Sequence, residues 1–285
     1  MASLRDIKKR IKSVESTKQI TKAMEMVAAS KLRRAQAKVE AARPYSLKMQ
    51  QMLESLAGAA ASLHHPLFEE RKVSSSMLVV ITADRGFCGS YNSNIIRAAM
   101  KYLKDSTPGS VKLGLVGKKG VTFFKKRPYP IAFQIPQTGG QADMQMVRKL
   151  AHDITGSFEK GEVDEVRLLY TRFVTTTRSN LTLEKFLPIE KIEGVDAGLP
   201  SQYIFEPSAE EIFANLVPRY CLTKILSALL ESFASEFGSR MIAMSNASNN
   251  ADEMIDHLTL VFNKARQAAI TNELLDIVGG AEALS

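Results

Sequence analysis

From Ser3 to Ala57 the chain runs without a glycine and with one proline, Pro44. Leu4, Ile7, Ile11 and Val14 recur at steps of three and four, and Ile20, Met24, Val27 and Leu32 continue the series. Side chains at that spacing share one face of an α-helix, and Ser3 with Asp6 resembles a capping box at its start. Such a helix extends roughly 80 Å, far beyond the usual three or four turns. Its stripe is narrow and rich in alanine, nearer to a coiled-coil seam than to the broad face of a globular helix. Pro44 is expected to bend it.

A second rod is expected at the other end. Pro207, Ser208 and Glu211 mark a helix start. The apolar set then runs Ile225, Leu229, Phe233, Phe237, Met241, Met244, Ala251, Ile255, Leu258, Phe262, Ala265 and Ala269. Pro218 predicts a kink or break early on, and Gly279 with Gly280 predicts the stop. Helical spacing persists to Val278, close to the terminus, where most chains fray.

Charge separates the two rods. Residues 1–40 hold 11 Lys/Arg and 4 Asp/Glu, a net of +7, whereas residues 209–285 hold 5 and 10, a net of −5. Pairing the first helix with the last in an antiparallel coiled coil buries both stripes and brings opposite charges together.

Between the rods the pattern changes. Met77–Thr82, Val111–Val116 and Ile131–Ile135 read as short buried strands, alternating with helical spacing at Asn92–Leu103, Lys118–Phe124 and Gln141–Phe158. Glu165–Phe173 and Leu181–Leu187 read as an edge hairpin. The fold class is α/β: a long antiparallel coiled coil of N- and C-terminal helices plus a small central Rossmann-like α/β domain. The expected segments are a coiled-coil helix at 1–58, a linker at 59–72, the α/β domain at 73–200 and a coiled-coil helix at 207–285.

No run of 18 apolar residues predicts a membrane span, and MASLRDIKKR lacks the apolar core of a signal peptide. Cys88 and Cys221, the two cysteines, suggest no disulfide scaffold. Gly86 and Gly89 in DRGFCGSYN do not have the spacing of a dinucleotide-binding turn, and Gly117–Lys118 is followed by Lys119 rather than Ser or Thr. A tight strand-to-helix turn using glycine torsions is the reading adopted. No His lies near Cys88 in sequence to act as its base. His64, His65, Glu69 and Glu70 are the one cluster with metal-ligand chemistry, and they read as polar linker residues.

The basic face of residues 5–38 suits solvent, an acidic protein surface, or nucleic acid and anionic lipid; it lacks interleaved aromatics for base stacking. Met24, Met26, Met241 and Met244 suit core filling or a surface that slides against changing neighbours. The residues alone describe an organising subunit with no catalytic constellation.

KQITKAMEMVAASKLRRAQ (18–36) and NKARQAAITNELLDIVGGAEAL (263–284) resemble the gamma subunits of F-type ATP synthases, as do ITADRGFCGSYN (81–92), EPSAEEIF (206–213), residues 220–244 and HLTLVFNKARQA (257–268). The resemblance covers the whole chain. It implies a central rotor shaft inside a ring of three alpha and three beta subunits, with the epsilon subunit and the membrane c-ring below, coupling ion flow to ATP synthesis or hydrolysis. It implies a non-catalytic subunit that binds no cofactor directly, ATP, ADP and Mg being held by the alpha and beta partners. It places the chain peripherally at the cytoplasmic side of the cell membrane, with no nucleic-acid partner, and the C-terminal tip in an apolar collar. Lys22 and Met24 would lie beside the beta lever region, and Arg240, Arg266, Gln267 and Thr271 would tune coupling. Arg266 and Gln267 would also meet a beta catch loop. Phe87, Ser90 and Tyr91 stand where the family often has Leu, Gly and Leu. The chloroplast-type cysteine insertion is absent, and the start favours a bacterial origin. An unrelated coiled-coil adaptor and a cytosolic α/β enzyme with helical extensions are the competing readings.

Overall fold

The computed structural model describes residues 3–59, 65–107, 109–190 and 209–282. Helix α1 (Leu4–Ala59) and helix α5 (Ala209–Glu282) bracket strands β1 (Ser76–Ile81), β2 (Val111–Val116), β3 (Ile131–Ile135), β4 (Glu165–Phe173) and β5 (Ser179–Leu187). Helices α2 (Tyr91–Asp105), α3 (Lys118–Phe124) and α4 (Met144–Glu159) connect the strands. Packing groups residues 1–28 with 240–285 in one unit and residues 29–239 in another.

In the first unit the cap forms as expected: the Asp6 N–H donates to Ser3 Oγ at 3.2 Å, and the Ser3 N–H donates to the Asp6 carboxylate at 3.3 Å. Up to Ala28, the half-buried and buried positions of α1 are Leu4, Ile7, Ile11, Val14, Lys18, Thr21, Glu25 and Ala28, joined by Met24. They alternate strictly by three and four, the repeat that keeps one seam of a helix on its partner. Ile20 and Val27 were expected in this stripe, yet they are 58% and 57% exposed. The register set by Leu4–Val14 passes through Lys18, Thr21 and Glu25 instead, so geometry prevails over apolarity. On α5, Met244, Ser248, Ala251, Ile255, Leu258, Phe262, Ala265 and Ala269 form a matching seam. Lys18 and Asp252 join the two helices in an ion pair.

The second unit is built on a five-stranded sheet of order β3-β2-β1-β4-β5. All pairs are parallel except the β4–β5 hairpin, which forms the edge as expected. β1 is buried at every position, as a strand covered on both faces must be. Against it pack Ile95, Ala99 and Leu103 of α2 and Phe124 of α3. Here α1 and α5 run antiparallel: Lys31 lies over the Phe237 ring at 5.5 Å, and Arg43 lies 3.7 Å from Glu231.

α5 is not broken at either expected point. Pro218 sits inside the helix, and the helix extends through Gly279 and Gly280 to Glu282. Pro44 likewise lies inside α1. Both prolines are on exposed positions, flanked in α5 by buried Phe213, Leu216 and Val217, whose packing offsets the lost backbone hydrogen bond. Two glycines weaken a helix by about 1 kcal/mol each without forbidding it. Pro207, Ser208 and His64, with linker residues 60–64 and residues 191–200 of the expected α/β segment, lie outside the described residues.

Candidate functional site

The six coupling residues that the resemblance implies all fall in the two-helix unit. Lys22 is exposed and pairs with Glu25 one turn on at 3.2 Å. Met24 and Arg240 are half-buried; Arg266, Gln267 and Thr271 are exposed. The Thr271 hydroxyl donates to the Gln267 carbonyl at 3.0 Å, so these two share one face of α5. Around them α1 presents Arg5, Lys8, Lys9, Arg10 and Lys12 outward, with exposed Ile20 before Lys22 and exposed Met26 and Val27 after it. Ile20 and Val27 were not read as surface, although following the three-four register from Leu4 would have placed them there; Met26 was read as suiting either core or a sliding surface, and it is exposed. From Ile270 to Val278 every side chain of α5 is exposed, including Ile270, Leu274, Leu275, Ile277 and Val278. An apolar run on an unpaired helix marks a surface made to be covered.

In the α/β unit the DRGFCGSYN turn binds its own neighbours. Asp84 accepts backbone N–H bonds from Thr138 at 2.9 Å, Gly139 at 2.9 Å and Lys118 at 3.2 Å, tying the loops after β1, β2 and β3 together. Gly89 takes the expected left-handed torsion at φ 56°, but Gly86 does not, and Phe87 does at φ 59°. Cys88 is buried and its sulfur accepts from the Asn92 amide at 3.1 Å. Burial first, then the Glu159 charge, pushes the Cys221 thiol up to about 12. The Cys221 thiol therefore stays protonated at neutral pH. His65 accepts the Leu67 N–H on Nδ1 at 3.2 Å and packs edge-on against Phe68 and Phe213; burial holds its pKa low, against the opposing pull of Glu159. Glu69 pairs with Arg71. Among the described residues no group of His, Cys, Asp and Glu is arranged to hold a metal ion.

Doubly wound domains bind ligands beyond the carboxyl ends of the strands, where strand order reverses. Here that point lies between β1 and β4, and α5 occupies it. Tyr91 Oη at the start of α2 donates to the Ser232 carbonyl at 3.2 Å, and Ser235 Oγ donates to the Thr171 carbonyl on β4 at 3.1 Å. From Ala228 to Gly238 α5 is buried on every face. Gly238 suits this close packing, since a Cβ there would stand 3.1 Å from the Thr176 carbonyl oxygen. Glu231, within this stretch, lies between Arg43 of α1 and Arg172 of β4.

The whole chain from residue 3 to 284 matches the family model described as ATP synthase. It is 44% identical over 284 residues to the ATP synthase gamma chain of Protochlamydia amoebophila and 47% identical over 285 residues to that of Moorella thermoacetica, with all of each chain covered. The chain belongs to the ATP synthase gamma-chain family. Among solved structures, a chain of the Tetrahymena thermophila mitochondrial ATP synthase central stalk and c-ring is 28% identical, with a TM-score of 0.65 over 80% of this chain and 99% of that one. A chain of the Euglena gracilis mitochondrial ATP synthase rotor shares the fold at a TM-score of 0.66 and 20% identity, over 94% and 98% of the two chains. As a gamma chain it is a subunit of the membrane-associated ATP synthase. No helix among the described residues is long and apolar enough to cross a membrane.

Proposed function

We propose that this chain is the central rotor shaft of an F1Fo ATP synthase, coupling ion flow through the membrane sector to ATP synthesis and hydrolysis in an alpha3beta3 ring. The observation that carries the reading is the two-helix unit. Its seam is consumed between α1 and α5, its outer face is basic and apolar, and every side chain from 270 to 278 of α5 is exposed. A surface of this kind needs a surrounding partner, and a basic one favours an acidic partner and steers its encounter.

In this reading the chain is not itself catalytic. Nucleotides and Mg are held by alpha and beta, and the crevice in which an α/β domain of this type would hold a nucleotide is taken by α5. The shaft contributes only differential affinity: each of its orientations favours one beta conformation over the others, and that difference is the coupling free energy. Lys22, Met24, Arg240, Arg266, Gln267 and Thr271 lie at the coupling surface. The epsilon subunit and the c-ring are the remaining partners, and the chain works peripherally at the cytoplasmic face of the cell membrane.

Co-purification tests the reading. A tagged chain should bring down two larger nucleotide-binding subunits in a 3:3:1 ratio with ATPase activity. Recovery of the chain alone, or with partners that bind no nucleotide, would refute it.

A further inference from the structure

The stretch of α5 that the α/β unit encloses contains carboxylates as well as apolar side chains. Glu231 and Glu236 are both buried, at 6% and 5% exposure. Burying a carboxylate is costly unless it is paired, so a residue serving packing alone would be apolar here. Glu231 Oε1 lies 3.7 Å from Arg43 Nη2 on α1, and Oε2 lies 3.8 Å from Arg172 Nε on β4. Arg43 is itself anchored, because the same nitrogen donates to the Phe173 carbonyl at 2.9 Å. One buried side chain therefore faces cations from two different elements. Two such points fix the rotation of a helix about its own axis. The Tyr91 and Ser235 bonds lie within one turn of it and hold the same segment against α2 and β4.

Rotating α5 within this socket would draw the carboxylate away from both guanidinium groups while leaving it dry. Arg43 and Arg172 are 43% and 63% exposed and would keep their water, but the buried carboxylate would be left without an opposing charge, which is unfavourable. An apolar side chain at 231 would pack, but would resist twisting only through shape.

We propose that Glu231 is a positioning residue for torque transfer, its carboxylate between Arg43 and Arg172 locking the rotational setting of α5 in the α/β unit. The proposal rests on the rotor-shaft reading and names where load on the α/β unit enters the helix. Glu231 touches no substrate; it acts through the helix it holds.

The test uses the complete synthase carrying the full chain, reconstituted in lipid vesicles. ATP hydrolysis and ion uptake are read on the same preparation, with and without an opposing ion gradient. Glu231→Gln should lower the ions taken up per ATP hydrolysed by about fivefold, since removing the charge leaves both guanidinium groups without their carboxylate. The deficit should widen under the gradient, as slippage under load must. Arg172→Gln should act in the same direction by about twofold, since that side chain is largely exposed and its pair is the weaker one. If Glu231→Gln does not assemble, Arg172→Gln decides. Lys101→Gln, on the exposed face of α2, should leave the ratio unchanged. A wild-type ratio in the Glu231 and Arg172 variants, or a loss no greater under load than without it, overturns the proposal. A wild-type complex that hydrolyses ATP without ion uptake would overturn the shaft reading instead.

Discussion

Lys18 of α1 and Asp252 of α5 form an ion pair where the three-four register of α1 calls for an apolar side chain. The seam passes through Lys18, Thr21 and Glu25 while Ile20, Met26 and Val27 face outward. A polar residue at a seam position specifies register at some cost in stability, and the displaced apolar groups are available to a partner.

The Lys18–Asp252 pair should contribute little to stability. Its side chains are 41% and 48% exposed, and exposed pairs contribute about 0.2–1 kcal/mol. A double-mutant cycle with Lys18→Ala and Asp252→Ala, read by urea unfolding of the full chain, should give a coupling in that range that shrinks in 1 M salt. A coupling several times larger would mean that the seam itself depends on the pair.

Glycine substitution should separate strain from contact. Gly117 has φ 91°, and a Cβ there would stand 2.0 Å from the Thr82 carbonyl oxygen, a backbone atom that cannot withdraw. Gly109 has φ 81° with nothing within 4 Å of a Cβ. Gly109→Ala should cost about 1 kcal/mol, and Gly117→Ala should exceed about 3 kcal/mol or prevent folding. Comparison of the two melting temperatures decides it.

Asp164 should confer acid-sensitive stability. The Ser75 and Ser74 N–H groups donate to its carboxylate at 2.9 Å and hold its pKa below the usual carboxylate value. A group with a depressed folded pKa stabilises above its unfolded pKa, about 3.9, and loses that contribution as pH falls through the folded value. The melting-temperature gap between wild type and Asp164→Asn should therefore be open at neutral pH and close below about pH 4. A gap independent of pH would remove the assignment.

The α5 tip should matter to partners and not to the chain. Leu274 and Leu275 are 58% and 63% exposed, so Leu274→Ser and Leu275→Ser remove almost no packing. Stability of the isolated chain should stay within about 0.5 kcal/mol of wild type, while the assembled complex should lose subunits at lower denaturant. An equal loss in chain and complex would show that the tip is packed against the chain itself.

The fold was largely legible because its signals are local. Continuous apolar runs marked β1 and β2, and Glu165–Phe173 marked β4 to the residue. The misreadings share a cause, which is that apolarity or a breaker residue was weighed without tertiary context. Ile20 and Val27 were taken for seam because they are apolar, although keeping the register of Leu4–Val14 leads to Lys18, Thr21 and Glu25. Pro218 and the Gly279–Gly280 pair signal interruption only where nothing outweighs them. The socket around Glu231 was illegible for a different reason. Tyr91 and Ser232 are 141 positions apart, and Arg43 bonds across 130 to Phe173. No spacing rule joins residues that only the assembled sheet brings together.

Rotation tests the central claim most directly. With the alpha3beta3 ring fixed to a surface and a probe attached through a cysteine placed at Lys101, an exposed position on α2, ATP should drive continuous rotation in one direction. A probe that stays still while the same particles hydrolyse ATP would contradict the account.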